Sequence, residues 1–278
     1  MPASQPYRGQ AKSAVRALEI LETVGRHADG LTFTQLKDQL DLPKSSLHEL
    51  LALLADRSYL RMDSETRAFR IGIRAWELGQ KYVHHTELVR VANIEMHKVV
   101  EAINETAQLA VLDGLENVYL VKVDCTHALR IQTGVGKRFP AHATGLGKAL
   151  LAALPVEERS RRLTAGSLQR MTANTVVDPI TLGNHLSDIA ETGFAVDWEE
   201  GTDGLRCVAV LVFGASGPEA AISISVPSFR ATSEKIVAAI RLLARASVDI
   251  SAQLGALDLP PSTRELLDLD AEEILRHY

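Results

Sequence analysis

Between Leu31 and Gly72 the chain reads LTFTQLKDQLDLPKSSLHELLALLADRSYLRMDSETRAFRIG. No other stretch restricts the fold as strongly. Leu36 and Leu40 give a short helix an inner face, with Thr32 or Thr34 as its cap. Asp41-Leu42 form a turn, and Pro43 suits the first position of the next helix, where a missing N–H is tolerated. Leu47, Leu50, Leu51 and Leu54 recur at helical spacing and form that helix's buried stripe. A strand pair follows, Tyr59–Met62 and Ala68–Ile71, joined by Asp63-Ser64-Glu65-Thr66. Helix, turn, helix and charged hairpin in that order predict a winged helix-turn-helix. The plainer alternative is a helical hairpin packed into an ordinary domain.

A recognition helix meets base edges with its N-terminal residues. Lys44, Ser45, Ser46, His48 and Glu49 occupy those positions as exposed donors, acceptors and a cation. Thr34 and Gln35 open the preceding helix and are placed to hold the backbone. Arg67 and Arg70, read on the returning wing strand, reach for phosphate or the minor groove. Bulk charge gives little help, since the chain carries −5 overall. Ten Lys/Arg against nine Asp/Glu leave the first 72 residues at +1, so the remainder holds −6. Contact with double-stranded DNA must therefore come from local placement.

Upstream, Ser13 caps a helix over 12–27 with Val15, Leu18, Ile20, Leu21 and Val24 at helical spacing; residues 1–10 are expected to be disordered. Residues 73–104 read as mostly helical, a linker whose apolar stripe suits self-association. From Thr106 the texture changes. TAQLAVLDG and NVYLVKVD read as adjacent strands and LRIQTGV as a third candidate. GLGKALLAAL is a helix starting near Thr144 or Gly145, and residues 155–193 are mainly helical around a Thr172–Pro179 loop. CVAVLVFG and AAISISV are strands joined by Gly214–Pro218, and SEKIVAAIRLLARASVDISAQLG is a long helix. Residues 255–278 include Pro260-Pro261 and a short acidic amphipathic piece.

The whole is an α+β chain with boundaries expected at 10–72, 73–104, 105–255 and 256–278. No apolar run approaches the roughly 20 residues of a membrane span, and no apolar signal core opens the sequence, so a cytoplasmic protein is expected. Two cysteines, Cys125 and Cys207, form no disulfide framework.

Three chemical readings fail on spacing. GLGKA has His142 and Ala149 where a phosphate loop needs Gly and Ser/Thr, and GVGKR has Ile131 and Arg138. Cys125 and His127 have no second pair at zinc spacing. His142 beside Thr144 and Lys148 lacks the partners of a catalytic set. No catalytic residue, metal or cofactor is therefore expected.

Several segments together resemble the IclR family of bacterial transcriptional regulators: SAVRALEILE, DLPKSSLHELLALL, FRIGIRAWELG, FPAHATGLGKALLA, GFAVDWEEGTDGLRCVAVLVFG and AAISISVP, in order across roughly residues 10–255. The resemblance implies a winged helix-turn-helix, a linker helix and a C-terminal GAF/PAS-like effector domain with a curved antiparallel sheet. It implies a homodimer or homotetramer on operator DNA, controlled by a small-molecule effector, in the best-understood branch a small organic acid. It puts effector-binding positions at Gly145, Leu146, Asp197, Leu205, Cys207, Ser223 and Ser225. The family often has Arg directly after the recognition-helix His; this chain has Glu49, which alters the expected operator.

The residues give partial support of their own. Gly145 and Leu146 offer backbone N–H groups at a helix start. Ser223 and Ser225 share one strand face, which solvent would otherwise claim. Cys207 is expected to pack, and Asp197 to sit solvated in a polar loop. The competing reading is a small-molecule enzyme built on the sensor-like domain, with Asp197, Cys207, Ser223 and Ser225 as its polar cluster.

Overall fold

The computed structural model describes residues 12–85, 87–129 and 134–267. The chain divides into two compact units, Met1–His85 and Thr86–Tyr278. The expected LRIQTGV strand falls mainly on residues outside the described set, as do residues 1–11 and 268–278.

In the first unit the elements are α1 (Lys12–Gly25), β1 (Leu31–Thr32), α2 (Phe33–Gln39), α3 (Lys44–Asp56), β2 (Leu60–Met62), β3 (Ala68–Ile71) and α4 (Ile73–His85). The strands form an antiparallel sheet in the order β1-β3-β2, with Leu31 opposite Phe69 and Arg61 opposite Arg70. A two-residue strand has no readable period, so β1 is set by pairing with the returning wing strand. Thr32, not Thr34, caps α2: its Oγ1 accepts from Gln35 N at 3.4 Å, and Gln35 Oε1 accepts from Thr32 N at 2.8 Å. Pro43 is the N-cap of α3 instead of its first helical residue, and its carbonyl accepts from Leu47 N at 3.0 Å. Ile20, Leu36, Leu47, Leu51 and Leu60 are almost wholly enclosed. Each such burial contributes roughly 2 kcal/mol, and together they fix α3 with its polar side outward.

The second unit contains α5 (Glu87–Ile103), β4 (Thr106–Asp113), β5 (Glu116–Val123), β6 (Arg138–Pro140), α6 (Gly145–Ala152), α7 (Val156–Ala165), α8 (Pro179–Thr192), β7 (Phe194–Trp198), β8 (Leu205–Gly214), β9 (Gly217–Pro227), α9 (Ser233–Gln253) and α10 (Pro261–Glu265). Among the described residues one antiparallel sheet runs β6-β5-β4-β9-β8-β7. Stretch 73–104 is thus not uniform: α4 belongs to the first unit and α5 to the second. There α5 packs with α9 against the sheet, burying Leu88, Val91, Ala92, Met96 and Val99. The β8–β9 turn is tighter than expected, with Gly214 opposite Gly217 and only Ala215-Ser216 between them. Register shifts at Leu109/Ala110 and Val212/Phe213 mark β-bulges, which bend a sheet. At the second, α9 supplies the missing bonds. Ser251 Oγ accepts from Phe213 N at 2.9 Å and Ser247 Oγ donates to Leu211 O at 2.5 Å.

The sheet's other face carries α6. Ala110, Ala195, Ala209 and Ala221 line that face, and their small side chains let the helix lie close. Every residue of α6 is buried. Its entry is equally close: a Cβ on Gly147 would lie 2.2 Å from the Ala141 carbonyl oxygen. Backbone cannot yield there as a flexible side chain would, so Gly147→Ala is expected to cost at least about 2 kcal/mol. Urea denaturation would show it as a lowered midpoint, and an unchanged midpoint would mean that the turn before α6 yields freely.

Candidate functional site

On the first unit, Lys44, Ser45, His48 and Glu49 are exposed along the N-terminal half of α3. Ser46 is half-buried, contrary to expectation, because it lies on the side that turns toward the core. Phe33 of α2 packs against the His48 ring at 6.3 Å between centroids, which restrains that imidazole. Thr34 is exposed on α2; Gln35 is exposed too, but its Oε1 is held by the capping box.

The wing turn is held by Asp63, whose Oδ1 accepts from Glu65 N at 3.0 Å and Thr66 N at 2.9 Å. Those bonds, the Thr66 amide's first, hold its carboxyl below the usual range. Arg67 is not on the returning strand as expected. It sits in the turn at φ 57°, exposed, where the chain reverses. Arg70 is on β3, half-buried, with its stem against Gly30 and a buried Nε that has no partner.

In the second unit, Gly145, Leu146, Asp197, Leu205, Cys207, Ser223 and Ser225 all line one recess of ≈ 440 Å³, mouth included. Cross-strand pairing explains the convergence. Asp197 pairs with Cys207 and Cys207 with Ser225, so these three point to the α6 face of the sheet. Ser223 lies one row along, paired with Ala209 and Gln108.

The roof is the start of α6. Thr144 caps it, accepting from Gly147 N at 3.0 Å and donating to Asn117 Oδ1 at 3.0 Å. The first-turn N–H groups of Gly145 and Leu146 have no intrahelical partner. Ser223 and Ser225 are 1% and 2% exposed, which overturns solvent as the neighbour of that strand face.

Asp197 is likewise not in a solvated loop. It is the fourth residue of β7 and 3% exposed. Its Oδ1 accepts from Glu200 N at 2.8 Å and Gly201 N at 3.4 Å. Burial pushes its pKa up to about 6, against the pull of the Lys148 ammonium and those amides. Burial also raises the Cys207 thiol well above its usual value, and Asp197 adds to that.

Sequence reasoning missed Gln108, Tyr119, Phe139, Gly201 and Thr202, which complete the lining. Tyr119 and Phe139 meet edge to face, 5.7 Å between centroids, and wall the recess beside β5 and β6. Alternation in NVYLVKVD could have placed Tyr119 on a sheet face, but not said which one. Also missed was the buried pair behind the recess, Lys148 on α6 and Glu200 after β7, which are hydrogen-bonded. His142 beside it is buried and donates through Nε2 to Gln169 O at 2.9 Å, and burial lowers its pKa. Among the described residues no group of three or more His, Cys, Asp or Glu is arranged to hold a metal ion. Among them, too, no helix is long and apolar enough to cross a membrane.

Two family models match the chain: the IclR helix-turn-helix domain over residues 13–64 and the bacterial transcriptional regulator IclR C-terminal domain over residues 80–252. The chain is 31% identical to the transcriptional repressor IclR of Escherichia coli K12, over 92% of this chain and 94% of that protein. It is 34% identical to the HTH-type transcriptional repressor AllR of Salmonella typhimurium, over 88% and 90%. A solved IclR homolog from Microbacterium hydrocarbonoxydans, complexed with 4-hydroxybenzoate, is similar at TM-score 0.76 and 26% identity, over 87% of this chain and 99% of the other.

Proposed function

The chain belongs to the IclR family of bacterial transcriptional regulators, and from that premise we propose that α3 reads operator DNA under the control of a small organic acid held beneath α6. The observation that carries the ligand half is the recess itself. It joins free helix-start amides, which suit a carboxylate, to a buried polar floor of Cys207, Ser223 and Ser225. Asp197 then accepts from a second group on the ligand. The 4-hydroxybenzoate bound by the Microbacterium relative supports an organic acid as the ligand class.

On the DNA side, Lys44, Ser45, His48 and Glu49 meet the major groove, with Ser46 supporting them from its half-buried position. Glu49 accepts from cytosine N4 where an arginine would bind guanine. Thr34, the Gln35 amide, Arg67 and Arg70 hold the backbone. The protein acts in the cytoplasm on a catabolic operon as a homodimer or homotetramer, its recognition helices roughly 34 Å or a multiple of that apart.

Mobility shift on the DNA upstream of its own gene tests this. A specific complex should form, weaken steeply with salt and change when the acid is added. Lys44→Ala should reduce the log–log salt slope by about 1 without altering acid binding. Turnover of the acid with no DNA shift would favour the enzyme reading instead.

A further inference from the structure

Among the described residues, strand pairing sets like charges directly opposite each other twice, and the protein treats the two pairs differently. Asp113 on β4 stands opposite Glu116 on β5. Arg138 of β6 bridges them, donating through Nε to Glu116 Oε2 at 2.8 Å and through a terminal nitrogen to Asp113 Oδ2. Arg61 on β2 stands opposite Arg70 on β3. Directly opposed side chains share one face of an antiparallel pair, and like charges there destabilise it. Yet among the described residues neither guanidinium has a hydrogen bond or an ion pair, and the Arg70 Nε is buried without a partner. Asp63, which follows β2, acts on Arg70 only as a nearby charge, because its Oδ1 is engaged by the Glu65 and Thr66 amides. Nor can Arg70 turn away. Its stem lies so close over Gly30 that a Cβ there would be 2.7 Å from Arg70 Cγ.

The basic pair thus lacks the bridging counter-ion that Arg138 gives the acidic pair. We infer that a phosphate of the DNA backbone is that bridge: Arg61 and Arg70 clamp one phosphate between them, which makes Arg61 a DNA-binding residue beside those already named. Two guanidinium forks suit the oxygens of a phosphate, which accept bidentate bonds. The hairpin that carries them continues directly from α3, so DNA is the polyanion that this unit meets. Repulsion between the two arginines is borne by the free protein and relieved on binding. This inference rests on reading the first unit as DNA-binding.

Fluorescence anisotropy of a labelled random-sequence duplex with the full-length protein, titrated over a range of salt, tests it, since a phosphate contact does not depend on sequence. Arg61→Gln should weaken binding by about tenfold at low salt. Arg61→Gln and Arg70→Gln together should lower the log–log salt slope by about 0.9, the value for one phosphate. A fall of about 1.8 would mean two separate phosphates and overturn the clamp. Unchanged affinity and slope in Arg61→Gln would overturn it as well, and a slope still lowered by Lys44→Ala would then leave the DNA reading standing. No binding of the duplex by the unaltered protein would overturn both.

Arg61→Glu separates this role from a structural one. It turns the repulsion into a cross-strand ion pair, so the urea midpoint should rise in dilute buffer and the gain should fade in high salt. DNA binding should fall further than in Arg61→Gln. Stability and DNA binding that fall together would show Arg61 to be merely structural and overturn the inference. Should the double variant not fold, Arg61→Glu decides alone.

Discussion

Lys148→Met is expected to lower the unfolding free energy by about 3–5 kcal/mol, the cost of leaving a buried charge without its partner. Lys148 and Glu200 are both almost fully enclosed, at 3% and 9% side-chain exposure, and they bond each other across α6 and the segment after β7. The ammonium bonds Glu200 Oε1, which otherwise receives only the Trp198 amide at 3.5 Å, and Oε2 has no partner, so little stands by to replace it. The segment itself is held firmly. Thr172 Oγ1 donates to Glu199 O at 2.6 Å and Thr175 Oγ1 to Glu200 O at 2.7 Å, so the main chain at Glu200 cannot move outward without breaking those bonds. The damage should extend to the recess, because Lys148 is the main charge opposing the effect of burial on Asp197. Removing it drives the Asp197 pKa higher still. Lys148→Met combined with Glu200→Gln should recover most of the lost stability, since a neutral pair leaves no charge stranded. Urea titrations of the two single variants and the double variant provide the cycle. A single-variant cost under about 1 kcal/mol would show that water reaches the pair.

How far the sequence discloses this architecture depends on the length of each signal. Leu47, Leu51 and Leu54 repeat over several turns, and α3 is legible from them to within a residue. Ile222, Ile224 and Val226 alternate with the serines, and β9 is legible in the same way. By contrast β1 is two residues and β6 three, too short to carry a period, and both exist through their partners. Asp197 is the instructive case. Trp198-Glu199-Glu200 after it looks like a solvated loop, yet Phe194 and Ala195 begin a strand that the neighbouring β8 captures as the sheet's edge. Burial of Asp197 is a tertiary fact, set by α6 lying over the strand end. The same holds for Lys148 and Glu200, separated by 52 residues: each alone reads as a surface charge, and only the fold encloses them together. The positions Gly145, Leu146, Leu205, Cys207, Ser223 and Ser225 were legible through resemblance. Tyr119, Phe139 and Gln108 were not, because a strand's period says which residues share a face and not what covers it.

Asp197→Asn is expected to stabilise the free protein by about 3 kcal/mol at pH 7.5 and to abolish its response to acid. In the folded chain the Asp197 carboxyl titrates at about 6, against an ordinary value of 3.8, chiefly because burial disfavours its charge. The native state therefore holds this proton more tightly than the unfolded chain does. Asp197's contribution to stability is full below pH 3.8, falls as pH climbs from 3.8 to about 6, and is flat above. A difference of about two pKa units corresponds to about 3 kcal/mol of charge-burial cost at neutral pH. Asparagine keeps the oxygen that receives the Glu200 and Gly201 amides and never ionises, so it retains the bonds and removes the cost. Lys148 still has Glu200. Thermal melts of both proteins from pH 4 to 8 should therefore coincide near pH 4 and separate above 6, with the variant higher. A variant that melts lower at every pH would show that the carboxylate, once ionised, is stabilised by its surroundings. The gain should be matched by a loss of function. The groups that face Asp197 are Lys148 on α6, Glu200 after β7, Cys207 on β8 and Tyr119 on β5. Cys207 and Tyr119 line the recess too, but burial raises both, whereas the Asp197 carboxyl titrates at about 6. Asparagine presents N–H groups there, where the ligand's second group needs an acceptor, so the acid's effect on operator binding should disappear while binding of bare DNA persists. On this argument the ionised aspartate is kept at a cost to stability because the ligand needs an acceptor at that point of the recess.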